Sequence, residues 1–191
     1  MVEIILASGS PRRRQLMQLA GIPCEIIVSN ADETTSGAPD AQVKELALRK
    51  AHAVYKKIAQ RENAIIIGAD TLVYVNGRVL GKPKDADEAF EMLKMLSGNE
   101  HEVYTGVALV RDGESRAFAD MTRVFFRALT DEEIWAYIAT DEPFDKAGAY
   151  GVQERGAVLV DRVEGDFYTV VGLPIAKVCM ELKDMGYDLW R

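Results

Sequence analysis

The chain has 191 residues, which is enough for one domain or for two small lobes with a buried core. Its composition, 48% hydrophobic and 28% charged, is that of an ordinary soluble globular protein. A net charge of −7 argues against general binding to nucleic acid, which needs a clustered excess of lysine and arginine.

Cysteine use and hydropathy favour a cytoplasmic protein. Cys24 and Cys179 lie in apolar stretches, without the spacing of metal ligands or of a disulfide framework. We see neither a signal-peptide pattern nor an apolar run long enough to span a membrane. We therefore expect a protein of the cytoplasm that binds neither a membrane nor nucleic acid.

The predicted elements alternate between strands and helices. The first are a strand ending near Leu6, a helix over 11–20, a strand over 24–28, an acidic loop over 29–39, a helix over 40–60 and a strand over 64–67. Next come strands over 72–75 and 79–80 about a turn at Asn76-Gly77, and a helix over 85–97. The last are a hairpin over 103–127 about Asp112-Gly113, a capped helix from Thr130 to about 141–143, a hairpin over 158–171 about Glu164-Gly165, and a helix from Pro174. This alternation predicts an α/β protein with a mixed sheet.

The first helix begins with a basic turn that the helix alone does not explain. Ser10 is a good N-cap, and Pro11 suits the first helical position. Arg12, Arg13 and Arg14 follow directly, although cations are unfavourable at a helix N-terminus. A bound polyanion such as a phosphate would resolve this conflict. The alternative is a basic turn that is merely solvated.

A lysine and an aspartate interrupt apolar patterns further along the chain. The helix over 40–60 carries an apolar stripe formed by Leu46, Val54 and Ile58, and Lys50 falls inside this stripe. Its side chain either extends along its stem to solvent or places its ammonium in a polar cleft. Asp70 follows the apolar strand over 64–67, at what we expect to be the carboxyl end of a central strand, where ligands of α/β sheets collect. It could equally cap a turn.

Two loops add further charged residues of interest. Asp32 and Glu33 lie in the acidic loop, where acids are usually only solvated. Lys82 and Lys84 precede a predicted helix N-terminus, a plausible place for a phosphate contact. Together with the arginine turn, these residues form a set suited to a metal-bound triphosphate, because carboxylates hold Mg²⁺ while cationic side chains neutralise phosphate charge. The chain has no P-loop motif and no dinucleotide-binding glycine motif.

Short strings of residues, spread over nearly the whole chain, carry the most specific signal. They are Leu6 to Arg13, Gly68 to Thr71, Gly81 to Pro83, Leu96 to Gly98, Asp145 to Gln153 and Val171 to Pro174. In this order they resemble the Maf family of nucleoside triphosphate pyrophosphatases. The first and the fifth string together are too specific for coincidence.

The resemblance implies one Maf-like domain over residues 1–191. Its implied fold is α/β, with two lobes around a deep central cleft and an elongated mixed sheet flanked by helices, as in the inosine triphosphate pyrophosphatases (Maf/Ham1). It further implies a homodimer. Family members hydrolyse a nucleoside triphosphate to the monophosphate and pyrophosphate, with Mg²⁺ or Mn²⁺ as cofactor.

The resemblance also implies roles for individual residues. Glu33 and Asp70 match the acid pair that holds the metal, and Asp70 matches the proton acceptor that activates a water. Lys50 and Lys82 match lysines that line the phosphate channel. The substrate-binding set also includes Ser8, Ser10 and Arg13.

Three positions indicate the branch of the family that acts on dTTP and UTP, rather than the branch that acts on 7-methyl-GTP. They are Arg12, Thr71 and Gln153, all of the expected type. The Gln153 carboxamide can both donate to and accept from the imide edge of uracil or thymine, whereas cytosine presents a different pattern. Thymine and uracil differ by one methyl group, so we expect both to be used, with modified pyrimidines as further candidates. Glu154 replaces an expected small residue; it either lines the base pocket or, as we favour, faces solvent.

Two other functions compete with hydrolysis. The first is a non-catalytic, nucleotide-sensing regulator of cell division, since the family takes its name from effects on septum formation. The second is a nucleotidyltransferase that uses the same triphosphate and metal with another acceptor. We rank hydrolysis first, because a sensor does not require Glu33 and Asp70 together with so many cations. Both house-cleaning of nucleotides and control of division are compatible with it.

Overall fold

The structure is a computed structural model that describes residues 2–58, 61 and 63–190. Its strands are β1 (Glu3–Leu6), β2 (Glu25–Ile26), β3 (Ala64–Val75), β4 (Arg78–Leu80), β5 (Glu100–Arg111), β6 (Glu114–Phe126) and β7 (Val160–Glu164). Its helices are α1 (Pro11–Leu19), α2 (Pro39–Lys57), α3 (Ala86–Leu96), α4 (Asp131–Ile138), α5 (Phe167–Val171) and α6 (Ile175–Asp184). Short 3₁₀ segments occupy Glu142–Asp145, Ala147–Ala149 and Arg155–Leu159.

Within this described part of the chain, seven strands form one mixed sheet. Their order is β2-β1-β3-β5-β6-β7, with β4 paired to β3. Strand β1 is parallel to both of its neighbours, whereas the β3–β4 and β6–β7 pairs are antiparallel. The predicted α/β class with a mixed sheet is therefore confirmed. None of the described helices is long and apolar enough to cross a membrane.

The chain divides into two compact units. The first consists of Met1–Asp70, Thr105–Asp120 and Gly172–Arg191, and the second of Thr71–Tyr104 and Met121–Val171. In the first, the buried face of α2 packs with β1 and β3, through residues that include Ala47, Ala51 and Ile66. In the second, α3 and α4 pack with a core that includes Leu93, Phe126 and Ile134. The single Maf-like domain with a cleft stays a prediction.

Strand β3 corrects one prediction about Asp70. We expected a strand to end near Gly68 and to deliver Asp70 at its carboxyl end, but β3 is 12 residues long and continues to Val75. The glycine has a different purpose, since a Cβ at Gly68 would lie 2.2 Å from the carbonyl oxygen of Ala47 on α2. Glycine here permits the close approach of a helix, and Asp70 lies within the strand.

Other differences arise at element boundaries. The predicted hairpin over 158–171 is wrong: β7 pairs with β6, and α5 follows it, with the amide of Tyr168 bonded to the Asp166 carboxylate. Strand β2 is shorter than predicted, and α2 ends at Lys57. The end predicted for that helix, at Gln60, lies outside the described residues.

Two of the three predicted hairpin turns and the predicted cap of α4 are confirmed. Both hairpin turns have positive φ at their two central residues, Asn76-Gly77 and Asp112-Gly113. Thr130 and Glu133 form the capping box of α4. Such features depend on neighbours within a few residues, which is why the sequence predicts them well.

Candidate active site

The N-terminus of α1 holds one arginine in a fixed position. The predicted cap forms, since the Ser10 hydroxyl accepts from the amide of Arg13 at 3.5 Å. The Ser8 hydroxyl accepts from the Ser10 amide at 3.3 Å and from Arg13 Nη1 at 3.0 Å. Arg13 Nε donates to the carbonyl of Gly172 at 2.8 Å. The guanidinium is thus oriented by both the turn before its helix and a distant backbone carbonyl.

The pKa of Arg13 is influenced by Glu33 and Asp70, the acid pair predicted from the sequence. Burial lowers the pKa of Arg13, while the nearby Asp70 carboxylate opposes this effect. The positive charge of Arg12 also lowers the pKa of Arg13, and the Glu33 carboxylate raises it. Because a guanidinium remains protonated in proteins, Arg13 is a permanent cation in the field of these two acids.

Lys50 connects the two acids directly. Its Nζ lies 2.6 Å from Asp70 Oδ1 and 2.7 Å from Glu33 Oε1. The lysine and Asp70 side chains are only 12% and 15% exposed, whereas that of Glu33 is 68% exposed. Of the two alternatives for Lys50, the structure therefore favours the polar one: the ammonium lies between carboxylates instead of extending to solvent.

The loop that carries Glu33 is tied to α2 by Arg49. This guanidinium donates to the carbonyls of Asp32 and Thr34, at 3.3 and 2.6 Å, on either side of Glu33. The Asp32 carboxylate accepts from the Thr34 amide at 2.9 Å, which closes a local turn and lowers the pKa of Asp32. Lys50 and Arg49 are neighbours on α2, so the same helical turn positions both the acid pair and its loop.

The acid pair has the chemistry of a divalent-cation site. Both carboxylates contact the same cation, the ammonium of Lys50. No group of three histidine, cysteine, aspartate or glutamate side chains suited to a metal occurs among the described residues. An ion held by Glu33 and Asp70 would take its other ligands from phosphate oxygens and water, a donor set that Mg²⁺ commonly accepts.

Three of the predicted site residues belong to the second unit. Thr71 continues β3 directly after Asp70. Lys82 is exposed in the segment between β4 and α3, next to Gly81, whose carbonyl accepts from the Gly148 amide at 3.0 Å. Gln153 is exposed in the bend at the end of the string from Asp145. The roles assigned to these three stay predictions.

Glu154 follows Gln153 and departs from the family pattern. Its carboxylate lies 4.0 Å from the ammonium of Lys146, and its side chain is 60% exposed. Its largely exposed carboxylate therefore pairs only loosely with the buried Lys146, in agreement with our preference for a solvent-facing side chain.

Sequence reasoning missed three residues that hold the site segments in place. Arg49 carries only the signal of a surface ion pair, because Glu45 lies one helical turn before it. Tyr137 resembles an ordinary core residue of the amphipathic α4, and Glu142 a residue at a helix end before proline. Their contacts are tertiary, so no local pattern reports them.

Comparison with known proteins identifies the family of this chain. A family model described as Maf-like protein matches residues 3–185, and the chain therefore belongs to the Maf family. A protein of Bacillus cytotoxicus named dTTP/UTP pyrophosphatase is 53% identical over 185 residues, covering 96% of this chain and 95% of its own. A Bacillus cereus protein of the same name is 50% identical over 191 residues, covering 99% and 98%. The resemblance found in the sequence is confirmed.

Two solved structures are more distantly similar. The Ham1 protein of Staphylococcus aureus has a TM-score of 0.47 and 20% identity, over 65% of this chain and 71% of that one. A nucleoside-triphosphatase, named dITP/XTP pyrophosphatase, of Mycobacterium abscessus has a TM-score of 0.44 and 17% identity, over 67% and 76%.

Proposed function

We propose that this protein is a nucleoside triphosphate pyrophosphatase that hydrolyses dTTP and UTP to the monophosphate and pyrophosphate. The observation that carries the proposal is the Glu33–Lys50–Asp70 cluster beside Arg13, in a chain that belongs to the Maf family. The name of the B. cytotoxicus and B. cereus relatives, at about half identity over nearly the full length, supports the same substrates.

In this proposal, cationic side chains bind the triphosphate. Arg13 offers a preoriented guanidinium, and Lys50 an ammonium that can exchange a carboxylate partner for a phosphate oxygen. Lys82 is the third cation of this set. These charges stabilise the negative charge that develops as the pyrophosphate departs.

Asp70 is the proton acceptor in the chemical step. A water attacks the α-phosphorus, a new phosphorus–oxygen bond forms, and the bond to the bridging oxygen before the β-phosphorus breaks. The carboxylate of Asp70 orients this water and takes its proton. Pyrophosphate keeps the electron pair of the broken bond, so the products are a nucleoside monophosphate and pyrophosphate.

Glu33 and Asp70 would also hold the divalent cation, Mg²⁺ or Mn²⁺. When bound, the cation supplies Lewis acidity and neutralises phosphate charge. Arg49 holds the carbonyls on either side of Glu33 and so keeps this carboxylate near Asp70.

Pyrimidine recognition is assigned to Arg12, Thr71 and Gln153. The Gln153 carboxamide pairs with the imide edge of the base, and Arg12 contacts the base or sugar. A pocket separates a methyl from a hydrogen only weakly, so dTTP, UTP and modified pyrimidine triphosphates are all expected substrates.

The test is pyrophosphate release from a panel of triphosphates, with Mg²⁺, Mn²⁺ or chelator, for the wild type and Asp70→Asn. We expect metal-dependent release from dTTP and UTP, and a loss of at least about 10²-fold in the variant. Asp32→Asn is the matched control, because it makes the same change at the acid next to Glu33, whose carboxylate accepts from the Thr34 amide. Near-normal turnover of Asp70→Asn would contradict the assigned role.

The same panel separates the alternatives. Nucleotide that binds without release of pyrophosphate would favour a sensing regulator of division. A requirement for an added acceptor would favour a nucleotidyltransferase. Equal amounts of free monophosphate and pyrophosphate, formed without an acceptor, support hydrolysis.

A further inference from the structure

The segment over 151–156, which carries Gln153, is held at both ends by two side chains that we call the Tyr137–Glu142 clamp. Glu142 Oε1 accepts from the Tyr137 hydroxyl at 2.9 Å and from the Gly156 amide at 3.1 Å. Glu142 Oε2 accepts from the Arg155 amide at 3.0 Å. The Tyr137 hydroxyl accepts from the Gly151 amide at 3.1 Å. The clamp therefore bonds to the backbone at the start and the end of the segment.

Close packing at both ends leaves little room for a side chain. A Cβ at Gly156 would lie 2.3 Å from the carbonyl oxygen of Gly151 and 2.7 Å from the Tyr137 hydroxyl. A Cβ at Gly151 would lie 2.6 Å from Cε of Lys146 and 3.1 Å from Glu142 Oε1. The two ends of the segment thus meet each other on the clamp, and Gln153 is part of a closed loop.

Burial and a neighbouring lysine hold the two residues of the clamp in place. Burial raises the pKa of Tyr137, and its hydrogen bond to Glu142 acts in the same direction, so the phenol stays protonated and donates. The ammonium of Lys146, whose side chain is 8% exposed, donates to the Glu142 carbonyl and to the Asp145 carboxylate, both at 2.7 Å. A buried charge is tolerated only with such partners. The backbone of Glu142 is therefore fixed as well as its side chain.

We propose that the Tyr137–Glu142 clamp is a positioning device that sets selectivity for uracil and thymine over cytosine. The inference rests on the proposed function, in which Gln153 recognises the base. A carboxamide carries a donor and an acceptor, so it distinguishes two bases only when its position is held. Holding the segment at both ends limits the arrangements through which Gln153 could satisfy cytosine.

The chemistry of Glu142 makes a sharp variant available. Its carboxylate accepts hydrogen bonds from three donors and gives none. Glu142→Gln has nearly the same shape, but its NH₂ group must face an N–H or O–H donor on one side. Tyr137→Phe removes the hydroxyl that accepts from Gly151 and donates to Glu142.

The experiment compares kcat/KM for UTP and CTP, by pyrophosphate release, in the wild type, Tyr137→Phe and Glu142→Gln. We expect the UTP-to-CTP ratio to fall about tenfold in each variant, mainly through a higher KM for UTP. Calorimetric binding of UMP and CMP gives a second readout that needs no turnover, and the same ratio should fall. The matched control is Thr130→Ala, which removes the cap at the other end of α4 and should leave the ratio unchanged.

A Gln153→Ala variant separates the possible failures. If its ratio collapses while both clamp variants keep the wild-type ratio, the clamp proposal is overturned and base recognition by Gln153 stands. Equal losses for UTP and CTP in the clamp variants also overturn it, because they indicate a purely structural role. If Gln153→Ala itself keeps the ratio, the proposed base contact is wrong and the clamp proposal falls with it. If a thermal melt shows that one clamp variant does not fold, the UTP-to-CTP ratio of the other variant tests the proposal.

Discussion

Among single residues, Arg13 combines several constraints in one side chain. Its planar guanidinium donates to Ser8 and to the Gly172 carbonyl, while the negative charge of Asp70 acts on it. Two donors at a fixed angle are needed for these contacts, and a lysine ammonium on a flexible stem cannot reproduce them. The position therefore requires arginine for its geometry and not only for its charge.

Arg13→Lys should lower kcat/KM for UTP by about 10- to 100-fold, chiefly through KM, because the charge remains while its orientation is lost. Steady-state pyrophosphate release measures this. Arg14→Lys is the control, since it makes the same change at the next, exposed residue. An Arg13→Lys enzyme as active as Arg14→Lys would show that the contacts to Ser8 and Gly172 are not needed for binding.

Among the elements, the contact between α2 and the sheet brings Lys50 to Asp70. Gly68 on β3 faces the backbone of α2, and Gly106 on β5 does the same, where a Cβ would lie 2.2 Å from the Val43 carbonyl oxygen. These two glycines allow the helix to lie close to the strands. The 2.6 Å pair of Lys50 and Asp70 depends on that approach.

Gly68→Ala should push α2 away from β3, since the clashing atoms belong to the backbone and not to a flexible side chain. We expect a loss of about 1–3 kcal/mol in the free energy of unfolding, measured by urea denaturation. Activity should fall about 10²-fold, because displacement of a catalytic group by about 1 Å has that order of effect.

The control for this prediction is Gly113→Ala. It imposes strain at a φ of +85° in a hairpin turn, but its Cβ would meet no other described residue within 4 Å. It should therefore lower stability without a comparable loss of activity. Parallel losses of activity in the two variants would contradict a positioning role for the contact at Gly68.

At the scale of the whole molecule, the stability of the fold should depend on a buried neutral histidine. His101 is 2% exposed, its Nε2 lies 2.8 Å from the Tyr150 hydroxyl, and its ring packs edge-on against Phe126. Burial lowers the pKa of His101 to about 4 from its usual 6.5. Between pH 6.5 and about 4, His101 is therefore neutral in the native state, whereas in the unfolded chain it binds a proton.

The sign of the pH effect follows from this difference. Below pH 6.5 the unfolded state binds more protons at this position, so the free energy of unfolding falls as pH decreases toward 4, by roughly 3 kcal/mol in total. The contribution of His101 is fully present above pH 6.5. Urea denaturation between pH 4 and 7.5 should show a flatter pH dependence for His101→Phe than for the wild type.

His52→Gln provides the comparison, because His52 is half-buried on α2 and lies 3.1 Å from the Ser115 hydroxyl. If His101→Phe follows the wild-type curve, the acid sensitivity has another source.

The sequence by itself determined the α/β class, the helix caps, the tight turns and the family. The Ser10 cap, the Thr130 capping box and the turns at Asn76-Gly77 and Asp112-Gly113 all depend on interactions within a few residues. Family strings are likewise visible without a structure. The identities of the predicted site residues were therefore available from the chain alone.

Only the tertiary structure decided how these residues are held. The Arg13–Gly172 bond joins residues 159 positions apart, and the Lys50–Asp70 bond joins residues 20 apart. A pattern in sequence cannot show which way Lys50 points, whether Gly68 ends a strand or admits a helix, or that Tyr137 and Glu142 hold the Gln153 segment. These outcomes depend on hydrogen bonds and packing between elements, and such contacts exist only once the chain has folded.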